Sequence, residues 1–468
     1  MNPKLACGAA LTVTLALSAC MSMAPAYRPP PSPVANQYPA DAPALAGSVE
    51  FPEWRDIFVD PGLQALIEES WRNNRDLRAA VLRAEEARAL RGVQRAERFP
   101  AVDIEAAGNR GRTPSEVSIT GNSFVSSAYQ ASVRVAWELD FWGRVRSLDT
   151  AALETYLATE AARRAATVSL VAQVADAWLV QRELDQRIEL ARQSIASREE
   201  TFRIFRRRAE VGASSKLELA EVETLLRQAQ GLAAQLEQSR ASNSHALSLL
   251  VGAPIQPSVQ TGVFDAPDPV RNLRVGLPSD LLTQRPDILA AEHELKAAYA
   301  NIGAARAAFF PRIALTGNYG TASAALDGLF DSGSRSWSFS PTISLPIFNA
   351  GRLRSSLDVA QVRRHLAVSN YELTVQTAFR DVADALSAQH WLLEQVAIQR
   401  QALTAQRERT RLAQLRYDNG AAAYLEVLDA QRELLSAEQA LVQLQRALQS
   451  SRVGLFAAVG GGVLGAGE

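Results

Sequence analysis

The chain has 468 residues, enough for two or three ordinary domains or for one elongated, duplicated one. Its 49 basic and 50 acidic residues leave a net charge of −1, which makes no electrostatic case for nucleic acid or for acidic partners. Two cysteines, Cys7 and Cys20, and four scattered histidines, His245, His293, His365 and His390, leave no disulfide, thiol metal site or HExxH-like pair in the body of the chain, and no phosphate loop or nucleophile elbow points to an enzyme.

Residues 1–19 begin Met1-Asn2-Pro3-Lys4 and run apolar through Leu11, Val13, Leu15 and Leu17. One cation followed by a short apolar core predicts a secretory signal peptide, too short for a spanning helix. The segment Leu17-Ser18-Ala19-Cys20 resembles the lipobox of bacterial lipoproteins. That resemblance implies cleavage before Cys20 and its acylation, and Met21 in place of a retention-type Asp favours the outer membrane. A signal peptide with an incidental Cys is the plainer alternative. Residues 20–50, with Pro25, Pro29, Pro30, Pro31, Pro33, Pro39 and Pro43, read as an extended, lipid-anchored tether.

The rest is a tandem duplication, which decides the architecture. In the first copy, residues 51–252, Asn74-Arg75-Asp76-Leu77, Gly92 and Phe99-Pro100 answer Arg285-Pro286-Asp287-Ile288, Gly303 and Phe310-Pro311 of the second, residues 279–460. The first copy then carries three extra residues, after which Gly143-Arg144 matches Gly351-Arg352. A linker rich in Pro, Gly and Asp, residues 253–278, joins the copies, and 461–468 form a tail. Each copy reads helix, strand, loop, strand, very long helix, tight turn, return helix. Strands are expected at about 101–110, 128–141, 312–320 and 336–347, long helices over 144–211 and 352–419, and return helices over 215–251 and 422–458. Neither long stretch contains Gly or Pro. Wholly helical, each would measure about 100 Å at 1.5 Å per residue.

The strands alternate. Val102 and Ile104 stand against Asp103 and Glu105, and the odd positions from Tyr129 to Phe141 are apolar. In the second copy Ile313 and Leu315, then Trp337, Phe339, Ile343, Leu345 and Ile347, keep the same period of two. One apolar and one polar face suit a membrane barrel with a wet lumen, and Trp137, Phe141, Trp142, Trp337, Phe339 and Phe348 stand near strand ends as interfacial aromatics do. A half-buried sheet in a soluble domain would alternate in the same way. In lipid, four strands cannot close a barrel, so copies from several chains must contribute; a trimer would supply about twelve strands. In the return helices, Leu219, Val222, Leu226, Ala229, Ala233 and Leu236, and then Val427, Ala430, Leu434, Ala437, Leu441 and Leu444, repeat every three and four residues, a coiled-coil seam.

Four segments together carry a family resemblance: Leu139-Asp140-Phe141-Trp142-Gly143-Arg144-Val145-Arg146, Leu345-Pro346-Ile347-Phe348-Asn349-Ala350-Gly351-Arg352, Gln284-Arg285-Pro286-Asp287-Ile288, and Tyr417-Asp418-Asn419-Gly420 with Tyr424-Leu425-Glu426-Val427-Leu428-Asp429-Ala430-Gln431-Arg432. Jointly they resemble the TolC-type outer-membrane channel proteins, in the lipoprotein branch that serves three-part drug-efflux pumps. The resemblance implies a mixed α and β fold: a homotrimer whose twelve-stranded transmembrane β-barrel, four strands per chain, continues into a long periplasmic α-helical coiled-coil barrel. It also implies a periplasmic adaptor (membrane fusion) protein and an inner-membrane RND-type transporter as partners, outer-membrane lipid around the barrel, no cofactor, no metal and no catalysis. The cargo would be drugs or other small molecules.

The rods must turn back at Gly212-Ala213-Ser214-Ser215 and Gly420-Ala421-Ala422-Ala423, where Gly permits the left-handed backbone of a tight reversal. In the family these tips meet the adaptor and form a closed aperture. The resemblance therefore places adaptor contacts at Gly212, Ala213, Ser214, Gly420, Ala421 and Ala422. It places a gate at Tyr417, Glu426 and Asp429, with Glu218 and Glu221 as the corresponding acids of the first tip. Family members carry Asp where Glu426 stands, and a described latch uses Arg where this chain has Ala422. Inward acids around a three-fold axis would form a cation-favouring ring, but helical phase alone does not separate a lumen from a solvated face. Two other readings compete. An exit duct for protein secretion or metal-ion efflux keeps the architecture, although every Met falls by position 23, which disfavours a Met-lined metal path. A lipid-anchored coiled-coil scaffold or adhesin leaves the four alternating strands unexplained.

Overall fold

A computed structural model describes residues 22–35, 37–38, 53–255, 268–273 and 284–461. The expected signal peptide at 1–19, the acylation site Cys20, much of the linker and the tail beyond Gly461 lie outside the described residues. The helices are α1 (Trp54–Ile57), α2 (Pro61–Asn73), α3 (Arg75–Ala96), α4 (Arg144–Glu210), α5 (Lys216–Val251), α6 (Pro286–Ala307), α7 (Arg352–Asp418) and α8 (Tyr424–Ala458). The strands are β1 (Ala101–Thr113), β2 (Phe124–Leu139), β3 (Arg312–Ser323) and β4 (Arg335–Ser344). Both α4 and α7 are 67 residues long, and the order of elements repeats from one half of the chain to the other.

The chain divides into two compact units. The first takes residues 1–31, 83–160 and 290–372 and holds one antiparallel sheet in the order β1-β2-β3-β4. The two copies meet at its centre, where Val133 lies opposite Tyr319 and Trp137 opposite Leu315. The outer pairs keep the phase: Val102 faces Val135, Ile104 faces Val133, and Tyr319 faces Trp337. Side chains alternate along a strand, so the alternating apolar positions within the four strands fall on one face; Phe141, Leu345 and Ile347 lie beyond the strand ends. That face is uncovered, with Ile104 86% and Trp337 73% exposed, which is far from what water tolerates over a contiguous patch. The other face carries Asp103, Glu105, Arg134, Ser338 and Thr342, and there Glu138 is paired with Arg144 at 2.8 Å and Arg312 at 2.7 Å. Edge strands β1 and β4 have no neighbour on their outer sides among the described residues. Pro341, which lacks an N–H, is tolerated because β4 is an edge.

Two strand ends differ from expectation. β2 begins at Phe124 and stops at Leu139 rather than Phe141, because Asp140 turns its carboxylate to the first turn of α4 and accepts from Val145 N at 3.0 Å and Arg146 N at 2.8 Å. β4 stops at Ser344 rather than Ile347, ahead of Pro346, which cannot donate to a ladder. The Pro-rich segment after Cys20 is extended but is not a free tether. Tyr27 donates to Glu292 Oε1 at 3.0 Å, packs edge-on against Tyr299 at 5.6 Å, and lies under Lys296.

The second unit, residues 32–82, 161–289 and 373–468, is helical among the described residues apart from a Phe58–Val270 bridge. Trp54, Phe58, Leu63, Trp178, Leu179 and Phe456 form its main core, all at most 1% exposed. Each such side chain contributes roughly 1.5–3 kcal/mol of apolar burial. Arg285 closes this unit. Its guanidinium donates through Nη1 to Ala458 O at 2.8 Å, at the end of α8, and through Nη2 to Asp287 at 2.6 Å, in the first turn of α6.

Candidate functional site

The two helix reversals lie in the second unit and share one backbone solution. Gly212 and Gly420 have φ of 77° and 71°, the left-handed conformation that Gly adopts without a Cβ penalty. The next residues close the helix ends: Ala213 N donates to Arg208 O and Ala421 N to Arg416 O, both at 2.8 Å. This pairing satisfies carbonyls that a helix end would otherwise orphan. The return helices start at Lys216 and Tyr424, and the second starts two residues later than expected because Ala422 and Ala423 are still part of the turn. Just past each turn an apolar side chain is left in the open, Leu217 at 69% and Leu425 at 56% exposure. They occupy equivalent positions in the two copies, and sequence reasoning missed them because both stand ahead of the heptad runs, which begin at Leu219 and Val427.

The acids of the two tips behave differently. In the first tip Ser215 Oγ accepts from Glu218 N at 3.1 Å, and Glu218 Oε2 accepts from Ser215 N at 2.9 Å and Ser214 Oγ at 2.8 Å, a reciprocal capping box. Glu218 is therefore not a bare gate charge. The Ser215 backbone N–H, then the Ser214 and Ser215 hydroxyls, hold its carboxyl below the usual carboxylate range. The Ser-x-x-Glu spacing was the signal for it. In the second tip the cap position is Ala423, with no side-chain cap. Glu426 instead accepts from Arg416 Nη1 at 2.6 Å, and Asp429 accepts from Arg409 at 2.5 Å and Arg432 at 2.6 Å. Glu221, the counterpart of Asp429, is half-buried and has no cation partner among the described residues; Thr201 and Thr224 stand where the second tip has Arg409 and Arg432. Within one chain Asp429 and Glu426 thus sit in a charge-balanced cluster.

The hairpins are joined near the turns by a cluster of rings. Tyr424 is buried against Phe205, centroids 4.6 Å apart, and meets Tyr417 edge-on at 4.8 Å. Thr201 Oγ1 is 3.2 Å from the Tyr424 hydroxyl, and Arg208 Nη1 donates to the Tyr417 hydroxyl at 2.6 Å. Burial raises the Tyr424 hydroxyl pKa above its ordinary value. Tyr417 therefore sits where the two hairpins touch. No hydrogen bond or ion pair among the described residues links the acids of one tip to those of the other. Nor do the described residues hold a group of three or more His, Cys, Asp or Glu arranged to take a metal ion. What the arrangement offers is packed, polar helix ends with exposed apolar tips.

Residues 66–253 and 277–461 both match the family described as outer membrane efflux protein, one match for each copy of the duplication. The solvent efflux pump outer membrane protein SrpC of Pseudomonas putida is 44% identical over 455 residues, covering 96% of this chain and 96% of that protein. The outer membrane protein OprJ of Pseudomonas aeruginosa is 42% identical over 456 residues, 97% of this chain and 95% of its own length. Among solved structures, the open state of the Neisseria gonorrhoeae MtrE outer membrane channel superimposes with a TM-score of 0.86 at 38% identity, covering 95% of this chain and 99% of that one.

Proposed function

The chain belongs to the outer membrane efflux protein family and is an outer-membrane component of an efflux pump, and from that premise we propose how it makes a duct. Three copies pair β4 of one with β1 of the next and close a twelve-stranded barrel, since a sheet with open edges is not tolerated in lipid. The apolar face meets the bilayer and the polar face lines the lumen. Cys20 carries the lipid anchor. The long helices and their return helices assemble into a periplasmic tunnel through the heptad seams, and the turns at Gly212, Ala213, Ser214, Gly420, Ala421 and Ala422 meet a periplasmic adaptor, with Leu217 and Leu425 as apolar contacts. An inner-membrane RND-type transporter supplies the energy. The cargo is small organic molecules, drugs or solvents, in keeping with relatives named for solvent and antibiotic efflux.

The aperture lies at the tips, where Tyr417, Glu426 and Asp429 line the second hairpin and Glu218 and Glu221 the first. Opening is a shift between two packings of the hairpins, and adaptor contacts favour the splayed one.

The observation that carries this reading is the sheet: four strands in unbroken register, one face apolar and exposed, the other polar, with both edges open. Drug and solvent susceptibility in a strain lacking its own outer-membrane channel tests it. Expression of this chain with its cognate adaptor and transporter restores resistance, and omission of the adaptor abolishes the gain. Restored resistance without any adaptor, or none with a complete pump, overturns the proposal.

A further inference from the structure

The apolar face of the sheet carries charge only on its two edge strands, toward their hairpin ends. Along β1 it shows Val102, Ile104, Ala106 and Gly108, and then Arg110 and Arg112; along β4 it begins with Arg335 and continues with Trp337 and Phe339. The register fixes this, because Arg110 lies opposite Ser127, Arg112 opposite Val125 and Arg335 opposite Thr321, all in the phase of the apolar set. No Asp or Glu shares that face on any of the four strands. The polar face, by contrast, mixes Asp103, Glu105 and Glu138 with Arg134 and Arg312. All three arginines are exposed, and none pairs with a carboxylate among the described residues; Arg112 reaches only Ser123 Oγ, at 3.3 Å.

Their height on the sheet is as specific as their face. The helices α3, α4, α6 and α7 join the sheet at the opposite strand ends, at Ala101, Leu139, Arg312 and Ser344, whereas the arginines stand beside the two hairpin connections, 114–123 and 324–334. From Val102 to Arg110 the strand climbs roughly 27 Å at about 3.4 Å per residue, close to the height of an outer-membrane apolar band once tilt is allowed for. A lipid-facing charge is costly at mid-membrane and tolerated at the interface. Three cations on a strand face that carries no acid, next to Trp337, present the complement of a phosphate layer, while the nearby acids Glu116, Asp327 and Asp331 belong to the connections and not to that face; guanidinium groups match phosphate oxygens in bidentate fashion.

We propose that Arg110, Arg112 and Arg335 form a cationic rim that binds the phosphates of outer-leaflet glycolipid. The inference rests on the barrel proposed above in one respect. Within one sheet β1 and β4 are three strand spacings apart, about 14 Å, but closure brings Arg335 of one copy beside the strand carrying Arg110 and Arg112 of the next, about 5 Å away.

Native mass spectrometry of the purified full-length protein in micelles tests it, with bisphosphorylated lipid A, the same lipid stripped of phosphate, and inorganic phosphate as probes. The wild-type protein retains the phosphorylated lipid about tenfold or more tightly than the stripped one, as expected for loss of even one charge-assisted bond. R110Q/R112Q/R335Q loses that preference, whereas R134Q on the polar face keeps it. Equal retention of both lipids by the wild-type protein overturns the proposal, and this comparison needs no variant to fold. An unchanged preference in the triple variant overturns it too, and displacement of lipid A by millimolar inorganic phosphate overturns the lipid as ligand. The same spectra report the oligomer separately. A monomer with the lipid preference intact supports the arginines and counts against the barrel, and a trimer without the preference does the reverse.

Discussion

Arg416 and Glu426 hold each other across the second helix reversal at 2.6 Å, while the equivalent pair in the first, Arg208 and Glu218, is split: Arg208 binds the Tyr417 hydroxyl and Glu218 closes a capping box. The difference traces to one position. Ser215 offers a hydroxyl to the Glu218 amide, and Ala423 offers nothing to Glu426. Both acids occupy the third position of a return helix, so without a cap the second carboxylate is released to a cation. A duplicated hairpin thereby acquires one tip fixed by local hydrogen bonds and one held by ion pairs.

Ala423→Ser rebuilds the missing box. The Glu426 carboxylate is drawn back to the cap backbone and the Arg416 pair is weakened. A cap of this type changes local opening by about fivefold. Hydrogen exchange read by mass spectrometry is expected to slow by about that factor at the start of α8, while Arg416 becomes more reactive to a guanidinium-modifying dicarbonyl. Unaltered exchange there means that the backbone at 423 cannot accept the box.

Glu426→Ala with Asp429→Ala removes two negative charges per chain and takes the carboxylate partners from Arg409 and Arg416, while Arg432 keeps Glu433 at 3.1 Å. Exposed pairs of this kind are each worth about 0.2–1 kcal/mol, so the closed packing is weakened but not abolished. In planar bilayers the double variant is expected to conduct more, to lose block by divalent cations, and to shift its reversal potential toward anion selectivity. Unchanged conductance and selectivity remove both residues from the aperture.

Much of this was legible because it depends on short-range periodicity. The period-two alternation identified the apolar positions of all four strands, and Gly143 with Gly212, and Gly351 with Gly420, bracket helices that begin at Arg144 and Arg352. The charge state of the tip was not read, because an acid's role depends on what the hairpin brings back to it. Arg409 and Asp429 stand nearly equidistant from Gly420, and folding the hairpin on paper would have paired them. The capping box at Ser215 and Glu218 was readable in the sequence, but the comparison of the two tips drew attention to charge instead. The Arg208–Tyr417 bond joins two hairpins far apart in sequence, and no local pattern announces it.

Acid loosens the first tip. The Glu218 carboxyl titrates below its unfolded value, so the box contributes its full stability above the ordinary Glu range, near 4.3, and loses it as pH falls through the lower folded value. Exchange at the start of α5, corrected for intrinsic rate, is expected to stay flat from neutral pH to about 5 and then to rise at lower pH. Ser215→Ala raises the neutral-pH exchange and removes most of the pH dependence. A flat profile down to pH 3 in the wild-type chain counts against the box.

Arg285 clamps the end of α8 to the start of α6. It is 8% exposed, and its one guanidinium serves Ala458 O, at the end of α8, and the Asp287 carboxylate, with Asp381 3.5 Å away. Arg285→Ala leaves the buried Ala458 carbonyl without its donor and the Asp287 carboxylate, 38% exposed, with the Ile288 N–H at 2.9 Å. An unsatisfied buried group costs about 1–3 kcal/mol. Arg285→Lys keeps the charge, but its ammonium lacks the planar fork that serves both partners at once, so it recovers only part of the loss. Thermal unfolding of the purified protein, followed by circular dichroism, is expected to rank wild type above Lys and Lys above Ala. An Ala variant as stable as the wild-type protein shows that this clamp is dispensable and that core packing alone fixes the end of α8.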